Sequence, residues 1–195
     1  QSAVMDISKI YEKVATLPKR YYGASATLAL VYRAFAKDNQ SNSSVFIKHI
    51  GDSRVYPFSA MTKTWRCITR DHNLLNQIVD EQAAAENRQA DFGKYNQEGM
   101  ASPLYALTDC LIADSDLDNN PLPTFENQTL KVSSDDCLVV CTDGVHDLVP
   151  CEERQRSDKH TDLQVWLKQL RKQIYASEGR AYDNATAILV KFDEH

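Results

Sequence analysis

The apolar residues of this chain come mostly in short bursts divided by polar turns, with three stretches at helical spacing. Val4, Ile7, Tyr11 and Val14 follow one helical face, and Pro18 closes that segment. Asn73 is placed to cap a second helix bearing Leu74, Leu75, Ile78 and Val79. Leu163, Trp166, Leu167, Leu170 and Ile174 make a third, clearly amphipathic, with Thr161 or Asp162 as its cap. The bursts predict strands over Leu28 to Phe35, Val45 to Ile50, Val55 to Phe58, Trp65 to Ile68, Leu104 to Ala113, Phe125 to Val132, Cys137 to Cys141 and Ala185 to Phe192. Glu86 to Pro103 is polar without a clear period and reads as a surface excursion. Asp114 to Pro123, rich in Asp, Asn and Pro, reads as a loop.

Consecutive strands with helices between groups of them predict an α+β fold rather than alternating βαβ units. No repeat, low-complexity tract or linker interrupts the pattern, so residues 1–195 are expected to form a single domain. The unbroken run Cys137-Leu138-Val139-Val140-Cys141 is too short for a typical helix and predicts a strand buried on both faces. Asp143-Gly144-Val145-His146-Asp147 follows it directly, and a buried strand fixes the polar residues at its end. Gly51-Asp52-Ser53-Arg54 follows another strand-like run, and Asp183-Asn184 precedes the last one. Three strand ends that each offer an Asp predict one carboxylate-lined metal site. Hard divalent ions prefer such oxygen ligands.

Composition narrows the partners. The chain has 195 residues, with 43% hydrophobic and 25% charged, which is enough for a substantial core. A net charge of −5 argues against nucleic acid, because phosphate binding needs a basic surface. No apolar run approaches the roughly 20 residues of a membrane-spanning helix, and no secretory signal is visible. The five cysteines, Cys67, Cys110, Cys137, Cys141 and Cys151, match no zinc pattern or disulfide scaffold. They predict reduced thiols in a cytoplasmic protein.

Five segments occur in a telling order: Gly23-Ala24-Ser25-Ala26-Thr27, His49 to Arg54, Thr69-Arg70-Asp71-His72-Asn73, Asp136 to Leu148, and Asp183-Asn184-Ala185-Thr186. In that order they resemble the type 2C metal-dependent serine/threonine protein phosphatases, in particular the bacterial members. The resemblance implies an α-β-β-α sandwich of two antiparallel sheets flanked by helices. It implies Mn²⁺ or Mg²⁺ as cofactor, two ions with a place for a third. Asp143 and Asp183 would be ligands of the main dinuclear centre. Asp52 matches the Asp of the third, weaker metal, and Asp147 beside it would act through water. Such metals hold phosphoryl oxygens and lower the pKa of a bridging water. The implied reaction is hydrolysis of phosphoserine or phosphothreonine on proteins. The partner would be a phosphorylated protein substrate, a kinase or its target among the candidates, met by a monomer. The excursion at Glu86 to Pro103 would be the family's variable flap.

Plainer roles compete at each position. Asp143 can cap a helix or turn, Asp183 can make an Asx-turn, and Asp52 can serve its own turn. Arg54 reads as half of a structural ion pair, Asp71-His72 as a helix cap, and His146 as a satisfied structural histidine. The family's first signature, an Asp-Gly whose Asp bridges the metals, is absent, as is an upstream phosphate-gripping Arg. Asp6 is a poor replacement. Two expectations follow. One is an N-terminally trimmed phosphatase, impaired as this chain stands. The other is a catalytically silent phosphatase-fold binding module. Retention of Asp52, Asp143, Asp147 and Asp183 favours the first, because crowded carboxylates repel unless a cation joins them.

Overall fold

A computed structural model describes residues 7–18, 25–34, 43–87, 103–113, 124–150, 154, 162–177 and 184–192. In chain order the elements are α1 (Ile7–Ala15), β1 (Ser25–Ala26), β2 (Leu28–Ala34), β3 (Ser43–Ile50), β4 (Arg54–Ser59), β5 (Thr64–Trp65), α2 (Leu74–Ala85), β6 (Leu111–Ile112), β7 (Glu126–Val132), β8 (Cys137–Cys141), α3 (Asp143–His146), α4 (Leu163–Ala176) and β9 (Ala187–Lys191). All strand pairs are antiparallel. One sheet has the order β2-β3-β7, a second β5-β4-β8-β9, and β1 pairs with β6.

Period-two alternation builds the layers. Val45 and Ile47 of β3 and Val132 of β7 point inward, where they meet Val55 of β4, Leu138 of β8 and Phe192. The opposite face of the second sheet presents Tyr56, Val139 and Cys141 to Trp166 and Leu170 of α4. Beyond the first sheet, Ile50 and Leu111 pack with Val14 of α1, Leu28 and Phe125. The result is an α-β-β-α sandwich of class α+β. β8 is buried on both faces because its alternate residues feed two different cores. Both anticipated helix caps form. The Asn73 side chain accepts from the Asn76 N–H at 2.9 Å, and Asp162 Oδ1 from the N–H groups of Gln164 and Val165 at 2.8 and 3.1 Å.

Two expected strands are shorter than the pattern suggests. Trp65 to Ile68 is a strand only at its first residue, in the pair Thr64–Trp65. Arg66 and Ile68 still donate to the carbonyls of Pro57 and Val55 at 3.1 Å. The return bonds are missing because Pro57 has no N–H and the N–H of Val55 goes to Thr69 Oγ1 at 2.9 Å. Leu104 to Ala113 is a 3₁₀ turn over Pro103–Tyr105, an isolated bridge from Leu107 to Asn73, and the two residues of β6. Its backbone is spent on the loop before α2: Leu74 donates to Ala106 O and Thr108 to His72 O. Of the polar excursion, residues 88–102 lie outside the described residues, as does the loop 114–123.

Candidate metal centre

β8 ends at Cys141 and delivers Asp143 to the first turn of α3. The segment leading into β9 runs alongside. Thr142 N–H donates to Thr186 O at 3.1 Å, and Thr186 N–H donates to Thr142 Oγ1 at 3.1 Å. Thr142 Oγ1 in turn donates to Asn184 O at 3.2 Å. Contact is so close at Gly144 that an added Cβ would stand 2.7 Å from Asn184 O. Asp143 Oδ1 accepts from the Gly144 N–H at 2.8 Å, so this side chain also serves the turn.

Asp52 follows β3 by way of Gly51. That glycine has φ +95°, and a Cβ there would lie 2.2 Å from the Thr27 methyl. The Asp52 carbonyl accepts from His146 Nε2 at 3.0 Å. His146 Nδ1 stands 2.9 Å from Asp147 Oδ1, within ion-pair range but off the axis of a hydrogen bond. His146 thus joins the turn carrying Asp52 to the helix carrying Asp143. Its role is structural, as the sequence suggests, but it is not the satisfied histidine expected, since its buried Nδ1 makes no hydrogen bond. Burial first, and then the charges of Asp143 and Asp71, hold the Asp52 carboxyl above its ordinary value. Asp52 therefore stands within electrostatic reach of Asp143, and Asp147 stands beside His146, but among the described residues the three-residue group of ligand atoms within 4.8 Å of one another is His49, His72 and Glu126. Asp183 lies outside the described residues.

These groups fit a hard cation. Asp52 and Asp143 offer carboxylate donors, and the repulsion from Asp143 that adds to burial in raising Asp52 is what a divalent ion would relieve. A cleft of about 330 Å³ at the other end of β4, beside Ser59, Arg66, Lys131 and Asp136, contains none of these acids.

Behind the acids lies a buried ion pair. Arg54 Nε and Nη2 donate to the two oxygens of Asp71 at 2.7 and 2.6 Å, and Arg54 Nη1 donates to Tyr56 Oη at 3.3 Å. Arg54 is therefore structural. Asp71 and His72 do not cap α2, because Asn73 does. His72 turns back to Gly51, and its ring stacks on His49 at 5.1 Å between centroids, beside Glu126. His49 and Glu126 were missed in the sequence. Their signal is cross-strand register, since the two residues face each other on β3 and β7.

No protein-family model matches the sequence, and no curated protein does. Solved structures do match in shape. A bacterial serine phosphatase superposes with a TM-score of 0.68 and 20% identity, over 97% of this chain and 68% of that one. The fold is that of the bacterial type 2C phosphatases. PppA, a key regulatory component of T6SS in Pseudomonas aeruginosa, shares this phosphatase fold with a TM-score of 0.60 and 19% identity, over 86% of this chain and 57% of PppA. The catalytic domain of the serine/threonine phosphatase PstP, solved with two manganese ions, gives a TM-score of 0.60 and 19% identity, over 96% of this chain and 66% of that one. The chain thus spans 57 to 68% of the length of these three. At such identities the likeness concerns the phosphatase fold alone.

Proposed function

We propose that this chain forms one domain over residues 1–195 and hydrolyses phosphoserine or phosphothreonine on protein substrates with the help of Mn²⁺ or Mg²⁺. The convergence of Asp52 and Asp143 at two strand ends of a phosphatase fold carries this reading. Asp143 and Asp183 would hold the main centre, and Asp52 and Asp147 an outer ion. Such ions, when bound, polarise phosphoryl oxygens and acidify a water. The chain's own contribution is rigidity and charge. β8 and the contact between Gly144 and Asn184 fix where Asp143 stands. His146 ties the Asp52 backbone to α3, the helix that carries Asp143. The phosphorylated partner would be a kinase or its target, met by a monomer. The four described cysteines are free, which supports a reducing, cytoplasmic setting. No helix among the described residues is long and apolar enough to cross a membrane.

The test is Mn²⁺ titration by calorimetry, followed by turnover of a phosphothreonine peptide with Mn²⁺ and with excess chelator. Metal-dependent release of phosphate is the expected result. Turnover that persists in chelator would overturn the metal mechanism. Metal binding without turnover would favour the silent binding module.

A further inference from the structure

We infer that Glu126 and His72 form a positioning pair that sets the backbone at Asp52, acting on the candidate metal centre through Gly51. The inference rests on reading Asp52 as a ligand. His72 grips one residue from both sides: its backbone N–H donates to Gly51 O at 2.9 Å, and its Nδ1 accepts from the Gly51 N–H at 2.9 Å. An amide N–H can only donate, so Nδ1 must present its lone pair and a neutral ring carries its proton on Nε2. Nε2 lies 3.5 Å from Glu126 Oε1, within ion-pair range rather than in a formed hydrogen bond, and the negative charge there favours that tautomer. His49 completes the setting. It is 1% exposed, stacks on the His72 ring, and presents Nδ1 3.9 Å from Glu126 Oε2. His49 first, and then His72, hold the Glu126 carboxyl down to about 2, so the acceptor stays charged.

The effect reaches Asp52 by a short path. Gly51 is wedged against Thr27 with φ +95° and has few alternatives once its peptide is clipped. The next carbonyl, that of Asp52, is taken by His146 at 3.0 Å. Asp52 therefore leaves a backbone tied on both sides, and only its own rotamer is free. Ligands held this way bind better because the geometry is prepared before the ion arrives.

The same three side chains raise a second possibility. One ligand atom from each of His49, His72 and Glu126 lies within 4.8 Å of the others, close enough to suggest a nitrogen-rich transition-metal site. A metal on His72 Nε2 would displace the proton there and force it onto Nδ1, against the Gly51 N–H. Metal and clip exclude each other, and the geometry has the clip.

Three proteins decide the matter: the parent chain, Glu126→Ala, and Glu126→Gln, whose amide oxygen can still accept from Nε2–H. Nitrogen-15 spectra of the imidazoles read the tautomer, amide exchange reads Gly51, and calorimetry reads Mn²⁺. The parent should show His72 as the Nε2–H tautomer. Glu126→Ala should mix the tautomers, speed exchange at Gly51, and weaken Mn²⁺ binding about tenfold. Glu126→Gln should recover most of all three. An Nδ1–H tautomer in the parent would overturn the inference, as would mixed tautomers in Glu126→Ala with unchanged Gly51 exchange and Mn²⁺ affinity. Zn²⁺ that shifts the His49 and His72 resonances together would overturn it in favour of a metal site. If the parent binds no Mn²⁺ while tautomer and exchange behave as stated, the clip stands and the reading of Asp52 as a ligand falls.

Discussion

Arg54 holds Asp71 with both arms of its guanidinium, one on each carboxylate oxygen, at 2.7 and 2.6 Å. The Asp71 side chain is 6% exposed and that of Arg54 18%, so the pair is largely shielded from water. Removing one partner strands the other. Asp71→Ala should cost about 3–5 kcal/mol in urea unfolding, because the guanidinium is left buried without its counter-charge. The double variant Arg54→Met/Asp71→Leu should lose markedly less. A loss below about 1 kcal/mol for Asp71→Ala would show that water replaces the carboxylate easily.

Gly51→Ala is expected to destabilise by at least about 2 kcal/mol, from positive φ and overpacking together. Adding Thr27→Ala should recover little, since the new Cβ would still stand 2.4 Å from Thr27 Cβ. Thermal denaturation of the single and double variants checks both statements. Full recovery in the double variant would mean that the methyl contact alone was at fault.

Asp143→Asn should lose Mn²⁺ affinity and keep the fold. Without metal it should melt higher, by about 2–4 °C if about 1 kcal/mol of repulsion is relieved. The sign follows from Asp52, whose carboxyl Asp143 helps to raise. A raised acid costs stability at pH above its folded value, and the cost shrinks when a neighbouring charge is removed. Calorimetric titration together with a melting curve in chelator tests the pair of outcomes. Undiminished Mn²⁺ binding by the variant would refute the role of Asp143.

Glu126 gives the opposite pH dependence. Its carboxyl is lowered from 4.5 to about 2. A lowered acid contributes stability that is fully present above its unfolded value and is lost as pH falls through the folded one. Urea midpoints should therefore fall between pH 4.5 and pH 2, and Glu126→Gln should flatten that slope. The side chain is 36% exposed, so screening limits the effect to no more than about 1 kcal/mol. Identical slopes for parent and variant would contradict the assignment.

The parts of this architecture that are legible in the sequence are those with local causes. Cys137 to Cys141 reads as a doubly buried strand because nothing polar interrupts it, and the acid that follows is fixed by that strand. Asn73 announces its helix by type and position alone, while the other cap is narrowed only to Thr161 or Asp162 before the structure selects Asp162. The histidine pair with Glu126 is illegible, because only the pairing of β3 with β7 brings His49 opposite Glu126. Asp71 and His72 look like caps since they precede a helix, yet both are drawn back to the turn before β4. The length of the strand at Trp65 depends on Pro57 and Thr69, which lie on other segments.

The only two tryptophans of the chain sit side by side, Trp65 and Trp166, with ring centroids 5.5 Å apart and Phe58 against the first. One belongs to the edge strand β5 and the other to α4. Intrinsic fluorescence of this protein is therefore a gauge of a single joint. It will report whether α4 is docked on the sheet.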